Sequence, residues 1–354
     1  MHKLSAAAWR KFAAYWRASS WHRVWLVALL IILLVIGAAY GIGKWYKSTQ
    51  PPQQSGVSFD PDYARYLGLN PETTMKALEN IGVKNFRLMS YWSDIEPVKV
   101  QYDFSQLDWE FASANKAHAK VTLAIGLRQP RWPECHTPNW VDTSQPEKKW
   151  LPQLEGFMTK VINHYKNNPA LESYQLENEY FNSNFGECHN DSRPRLISEY
   201  KLVKKLDPKH PIIITRSNKY PNLPIGQPRP DKFGEEYYRT VWWPPGNRFA
   251  TYPYPAWYYS FLAGATKIAT GRDSILTEVQ AEPWLEPNKT IFDTSLAKQN
   301  QSFSAETFEQ NIKFAQSTGL AMAYYWGAEY WYYRLVKLHD PSVWNVARQL
   351  FSHD

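Results

Sequence analysis

The chain has 354 residues, 44% hydrophobic and 16% aromatic, enough to bury a large core and of the size expected for one α/β barrel with an extension. Its 40 Lys and Arg outnumber its 33 Asp and Glu, but five of the basic residues fall before Gly43 with no acid among them, which leaves the remainder nearly neutral. The excess positive charge is therefore local, and a nucleic-acid partner, which would want a basic patch on the folded domain itself, is not expected.

From Val24 to Gly43 the chain reads "VWLVALLIILLVIGAAYGIG", an uncharged run of about 20 residues, the length of a bilayer-crossing helix. Lys3, Arg10, Lys11, Arg17 and Arg23 precede it and only Lys44 and Lys47 follow closely, which predicts a cytoplasmic N-terminus and a large domain outside a cell membrane. A signal peptide cleaved after "IGAA" is the competing reading, although the run exceeds the ~7–15 residues of a signal core. The expected organisation is a basic segment over 1–23, a transmembrane helix over 24–43, a linker over 44–56 that includes "KSTQPPQQSG", and one folded domain over 57–354.

Within that domain, short apolar or β-branched runs alternate with amphipathic stretches. The expected strands are "GVSFD" (56–60), "NFRLM" (85–89), "VTLAI" (121–125), "SYQL" (173–176), "IIIT" (212–215), "RFATY" (248–252), "SILT" (274–277) and "AMAYYW" (321–326). Helices are expected over Pro71–Ile81 behind an Asn70 cap, Leu107–Lys120, Leu151–Asn167 and Ser304–Ser317. Eight strands with helices between them predict a (β/α)8 TIM barrel behind one transmembrane helix. A doubly wound open sheet would want a Gly-rich turn after the first strand, where "DPDYARYLG" stands instead.

A barrel of this kind keeps its chemistry just past the strand C-termini. Polar and aromatic residues crowd those exits: "MSYWSDIEP", "GLRQPRWPECH", "ENEYFN", "YPYPAWYY", "EVQAEPW" and "WGAEYWYY". Two exits offer acids that would face each other across the mouth, Glu179 after the fourth strand and Glu278 after the seventh. Such a pair can serve as proton donor and nucleophile.

The stretch "QLENEY" (175–180) closely resembles the strand-four motif of family 35 β-galactosidases. "FRLMSYWSDIEP" followed by "YDFSQLD" is similar to the strand-two region of glycoside hydrolase families 35, 42 and 5. The chain from about Val57 onward thus resembles a clan A retaining glycoside hydrolase. That resemblance implies Glu179 as acid/base, Asn178 as ligand of a sugar 2-hydroxyl, Glu278 as nucleophile and Arg87 as its electrostatic support. It further implies Tyr252 or Tyr254 as hydrogen-bond donor to the nucleophile and Trp326 as the floor under the sugar. The strand-seven match is looser, and Glu282 in "TEVQAEPW" is the alternative nucleophile. Glu177 is assigned a supporting role, bonded to an Arg or to backbone groups below the site.

A carbohydrate substrate without a cofactor is the corresponding expectation; oligomeric state is left open. Sugars present C–H faces to aromatic rings, which makes Trp92, Trp132, Trp284, Trp326 and Trp331 candidate walls, with core packing as the alternative for each. The two cysteines of an exported chain, Cys135 and Cys188, suggest a disulfide. Their repeated Glu-Cys-His triplets invite a metal reading, disfavoured because adjacent Cys and His seldom converge on one ion. A non-catalytic glycan-binding or envelope-interaction protein on the same scaffold is the second class of function.

Overall fold

A computed structural model describes residues 9–11, 20–182, 186, 187, 191–216, 226 and 228–352. Lys3, Arg17 and Cys188 lie outside the described residues. The first long helix, α1, spans Ser20–Ser48, and its stretch Arg23–Ser48 is long and apolar enough to cross a membrane.

Among the described residues ten strands follow: β1 Gln54–Ser58, β2 Asn85–Met89, β3 Lys120–Ile125, β4 Leu171–Leu176, β5 Ile212–Thr215, β6 Lys232–Tyr237, β7 Thr240–Trp243, β8 Arg248–Thr251, β9 Asp273–Gln280 and β10 Met322–Trp326. Eight close into a barrel in the order β1-β10-β9-β6-β5-β4-β3-β2, with all neighbours parallel. Helices intervene as a TIM barrel requires, among them α2 Pro71–Asn80, α3 Ser105–Lys116, α4 Leu151–Tyr165, α5 Arg193–Leu206, α6 Ala256–Thr270, α7 Ala305–Thr318 and α8 Ala328–Lys337.

Local chemistry explains the boundaries. The Asn70 side chain accepts from the Thr73 amide at 2.8 Å, and Pro71 opens α2 where its missing N–H costs nothing. In α4, Leu154, Phe157, Met158, Val161, Ile162 and Tyr165 repeat at helical spacing and are all buried. Each is worth about 1.5–3 kcal/mol of apolar burial, which fastens that helix to the sheet.

The sixth barrel strand corrects the sequence reading. Expected at 248–252, it is Lys232–Tyr237, "KFGEEY"; Arg248–Thr251 instead pairs antiparallel with Thr240–Trp243 as a separate hairpin. The turn Pro244-Pro245-Gly246-Asn247, with Asn247 at φ 47°, brings a partner strand within four residues, so local pairing closes only a short loop. Two adjacent glutamates and a glycine disguise the true strand, because both are poor strand formers on exposed surfaces.

The connector after the apolar helix also differs from expectation. Helix α1 runs on to Ser48 and β1 opens at Gln54, so residues 44–56 are largely structured. Contacts pay for that order: Tyr46 is fully buried, with its hydroxyl bonded to Ser274 O at 3.4 Å and accepting from Ser274 N at 3.1 Å.

Candidate active site

The barrel interior is polar toward its upper end. Ser58, Arg87 and Thr122 stand side by side in register on β1, β2 and β3 and face inward. Arg87 is completely buried, and all five of its N–H donors have acceptors within reach. Nε donates to Gln175 Oε1 at 2.6 Å; Nη1 donates to Ser58 Oγ at 3.1 Å and Glu278 Oε1 at 2.9 Å; Nη2 donates to Asn178 Oδ1 at 3.1 Å and Glu278 Oε1 at 3.0 Å. A buried guanidinium left unpaired would be prohibitive, so this set fixes the positions of Glu278 and Asn178 relative to one another.

Glu278, near the end of β9, receives Arg87 on one carboxyl oxygen and the Tyr238 hydroxyl on the other. Burial pushes its carboxyl pKa up, Arg87 and Tyr238 pull it down, and the nearby Glu179 carboxylate pushes it up again. Glu179 follows β4 on the facing side; its amide donates to Thr215 Oγ1 at 2.7 Å and its Oε2 accepts from Asn182 Nδ2 at 3.1 Å. Glu177 and Glu179 both hold left-handed backbone, with φ 60° and 38°, a conformation that is costly for side chains with a Cβ and common at functional sites.

Glu177 is buried and turned to the β3 exit and α5. Its carboxylate accepts from the Leu127 and Arg128 amides at 2.6 and 3.0 Å and from Arg195 Nη1 at 3.0 Å. The Arg195 guanidinium also pairs with Glu199 at 2.6 Å. Glu177 thus ties the β3 exit to the β4 exit and to α5.

The hydroxyl on Glu278 belongs to Tyr238, the residue after β6, and not to either expected tyrosine. Tyr252 follows the hairpin and stacks on Tyr254 at 6.0 Å, which stacks on Tyr258 of α6 at 5.3 Å. The misplaced sixth strand explains the error, since the tyrosine of interest leaves the true strand. The same strand carries Glu236, buried, with Oε1 unpartnered and its pKa raised well above the ordinary value by burial and by Glu179 and Glu278. Glu134, in the "PECH" exit of β3, is likewise buried and accepts from Asn178 Nδ2 at 3.0 Å; burial holds its pKa high against the hydrogen bond from Asn178. A sequence signal for Glu134 existed, its place in a crowded strand exit; none marked Glu236.

Glu282 belongs to a second charged group. Arg131 reaches Asp60 at 3.0 Å and Glu282 at 3.5 Å, while its guanidinium lies 3.7 Å from the Tyr63 ring centroid and 4.4 Å from that of Trp326. The Asp60 amide donates to Glu329, whose own pKa is pushed up to about 8, mainly by burial. Trp326 therefore lies between the two arginines, with Arg87 at 5.8 Å from its centroid.

Two of the candidate tryptophan walls are core residues. Trp92 is buried, stacks on Phe157 at 5.6 Å and donates to Glu96; Trp331 is buried and donates to Ala281 O at 2.7 Å. Trp132 is 58% exposed, and Trp284 meets Tyr238 edge-on at 5.6 Å. Of the Glu-Cys-His triplet at 134–136, the glutamate faces Asn178 and His136 stacks on Tyr91 at 3.6 Å.

No family model matches the chain. Among curated proteins, the β-galactosidase BbgII of Bifidobacterium bifidum is 28% identical over 122 residues, covering 28% of this chain and 16% of that one. Among solved structures, a cold-adapted β-galactosidase from Rahnella sp. R3 gives a TM-score of 0.54 at 12% identity, covering 86% of this chain and 56% of the other. The exo-β-1,4-mannosidase Op5Man5 from Opitutaceae bacterium strain TAV5 gives 0.57 at 13%, covering 79% and 52%. A family 10 endo-β-1,4-xylanase from Gloeophyllum trabeum gives 0.55 at 16%, covering 85% and 97%. The chain thus spans a minor part of the curated relative and little more than half of the first two structures. At these identities the likeness is one of fold, a closed eight-stranded parallel barrel.

Proposed function

We propose that this chain is a membrane-anchored retaining β-glycosidase, with Glu278 as nucleophile and Glu179 as acid/base. The observation that carries the reading is the clamp on Glu278: Arg87 bonds one carboxyl oxygen and Tyr238 the other, with Glu179 close by across the barrel mouth. In the first step Glu278 attacks the anomeric carbon as Glu179 protonates the departing glycosidic oxygen, giving a glycosyl-enzyme and a free aglycone hydroxyl. In the second, Glu179 takes a proton from water, the water oxygen bonds to the anomeric carbon, and Glu278 leaves as carboxylate. Glycosylation removes the Glu278 charge, which eases proton loss from Glu179 between the steps.

Asn178, held by Arg87 and Glu134, is the ligand for a sugar hydroxyl beside the acid, and Trp326 is the floor. The strand-four motif favours a β-galactoside, and an envelope β-glycan is the other substrate class. The apolar run of α1 supports a single-pass anchor with its N-terminus inside and the barrel outside. We also assign Cys135 and Cys188 to one disulfide joining the β3 and β4 exit loops, which already touch where the Glu187 amide donates to Pro133 O at 3.0 Å.

The test is a panel of aryl β-glycosides with the product anomer followed by proton NMR. Release of the β-anomer first, from at least one sugar, is expected. Release of the α-anomer would refute double displacement, and no turnover across galactosides, glucosides, mannosides and xylosides would favour a non-catalytic glycan binder.

A further inference from the structure

Helix α1 does not end where its membrane-crossing run ends. Counting from Arg23, the last charge before the apolar run, about 30 Å of hydrocarbon is spanned by about 20 residues, which places the outer boundary near Gly43. The barrel has already been reached at that point. A Cβ on Gly43 would stand 3.1 Å from both Phe261 N and Trp257 O, and one on Gly264 would stand 2.8 Å from Ile42 Cγ2. Two glycines on facing helices thus let α1 and α6 cross backbone against backbone.

Polar bonds lock the next turns. Besides Tyr46 on Ser274, Lys47 Nζ donates to Ser317 O at 3.1 Å and Gln50 Nε2 to Asp273 Oδ1 at 3.3 Å. The side of α6 turned away from the barrel is apolar. Trp257, Phe261, Leu262 and Ala265 are partly exposed, and Ile268 and Ala269 are exposed, at spacings that form one stripe. The one charged residue of α6, Lys267, is paired with Asp273 at 2.7 Å. On α1, Tyr40 meets Trp257 edge-on at 6.2 Å and Trp45 is 45% exposed, so aromatic rings gather near Gly43, where the span leaves the hydrocarbon.

We propose that α6 is a second membrane-contacting element: it rests in the outer headgroup–acyl boundary with Ile268 and its neighbours in lipid, and fixes the barrel on the bilayer through α1. The inference builds on the anchor reading. Continuity supplies the occupant, since the stripe adjoins the span at the depth where the span leaves the hydrocarbon, and interfacial helices carry this kind of apolar face flanked by Trp and Tyr.

The test uses the full chain in vesicles of phosphatidylcholine and phosphatidylglycerol, with a nitroxide on Leu34→Cys or Ile268→Cys in separate samples and Val100→Cys as an aqueous reference. Collision with oxygen, which concentrates in lipid, and with a water-soluble nickel chelate is read by electron paramagnetic resonance. All three sites are exposed, so labelling spares the fold. The expected result is an oxygen-to-nickel ratio at 268 several-fold above that at 100 and below that at 34. If the label at 34 lies in lipid while 268 matches 100, α6 is aqueous and this proposal falls while the anchor stands. Shielding of 268 from both reagents would mean a protein occupant and would overturn it as well. A label at 34 that is lost by cleavage, or that is aqueous, removes the anchor reading and this one with it.

Discussion

Two arginines flank Trp326, and they are built in opposite ways. Arg87 stands on β2, fully buried, with every donor spent on a side chain from β1, β4 or β9 or their exits. Arg131 stands on the loop after β3, keeps part of its side chain exposed, and is held mainly by two aromatic faces and by carboxylates of Asp60 and Glu282. A guanidinium with all donors fixed positions its acceptors to within a hydrogen bond's tolerance, whereas one sandwiched between rings can slide without losing much. The Arg87 group is therefore the better positioned of the two for chemistry, and the Arg131 group the looser one.

The sharpest way to break that division is to swap the test between the two acids that serve the two arginines. On the proposed mechanism Glu278→Ala should lower kcat on aryl glycosides by about 10⁴-fold or more, because a two-step reaction cannot proceed without its nucleophile. Azide added to Glu278→Ala should restore turnover and give a glycosyl azide of inverted configuration. Full activity of Glu278→Ala would dissolve the assignment. The same substitution at Glu282 should not respond to azide.

Tyr238 offers a smaller and more specific break. Its hydroxyl favours the charged form of Glu278, so in Tyr238→Phe the carboxyl pKa rises and the acidic limb of the kcat/KM profile moves to higher pH. Loss of one positioned hydrogen bond to a charged group corresponds to about 10- to 100-fold in kcat. Tyr252→Phe and Tyr254→Phe should leave both the rate and the limb where they are. An unmoved limb in Tyr238→Phe would separate this tyrosine from the titration of Glu278.

The contrast between these tyrosines also shows what the sequence could carry. Seven barrel strands and four of the helices were legible because β-branched runs and caps state one thing each, whereas the helices at Arg193–Leu206, Ala256–Thr270 and Ala328–Lys337 were not read. The sixth strand was not, because a strand whose side chains serve buried polar contacts loses the apolar alternation by which strands are recognised, and "RFATY" two turns downstream imitates it. Everything hung on that strand went with it, Glu236 and Tyr238 included. Asn178 and Arg87 stood at strand positions that the eye finds, yet their shared dependence on Gln175 and Glu134 is a matter of three-dimensional closure. Similarly, "KSTQPPQQSG" reads as a loose connector, and only the barrel surface waiting for Tyr46 and Lys47 makes its first residues helical.

On the Arg131 side, effects on rate should be modest. Glu282→Gln removes one of the two acids paired with Arg131, so KM is expected to rise by less than about tenfold with kcat nearly unchanged, the pattern of lost uniform binding. A fall in kcat comparable to that of Glu278→Ala would reverse the roles of the two acids.

The last difference is one of protons and stability. Glu329 closes the Arg131 group, and its folded pKa of about 8 lies above that of an ordinary glutamate. Between roughly pH 4.5 and 8 the folded chain therefore keeps a proton that the unfolded chain has released. The stabilisation tied to that proton is fully present below the lower value and is lost as pH rises through the folded pKa. Glu329→Gln keeps an acceptor for the Asp60 amide and carries no proton to lose. Its unfolding free energy relative to the native chain should improve between pH 5 and 8, by up to about 2 kcal/mol after allowance for relaxation around the buried charge. Urea melts of both chains at pH 5, 6.5 and 8 would read this directly. A gap that stays constant with pH would mean that Glu329 is ionised throughout and that Arg131 outweighs the cost of its burial.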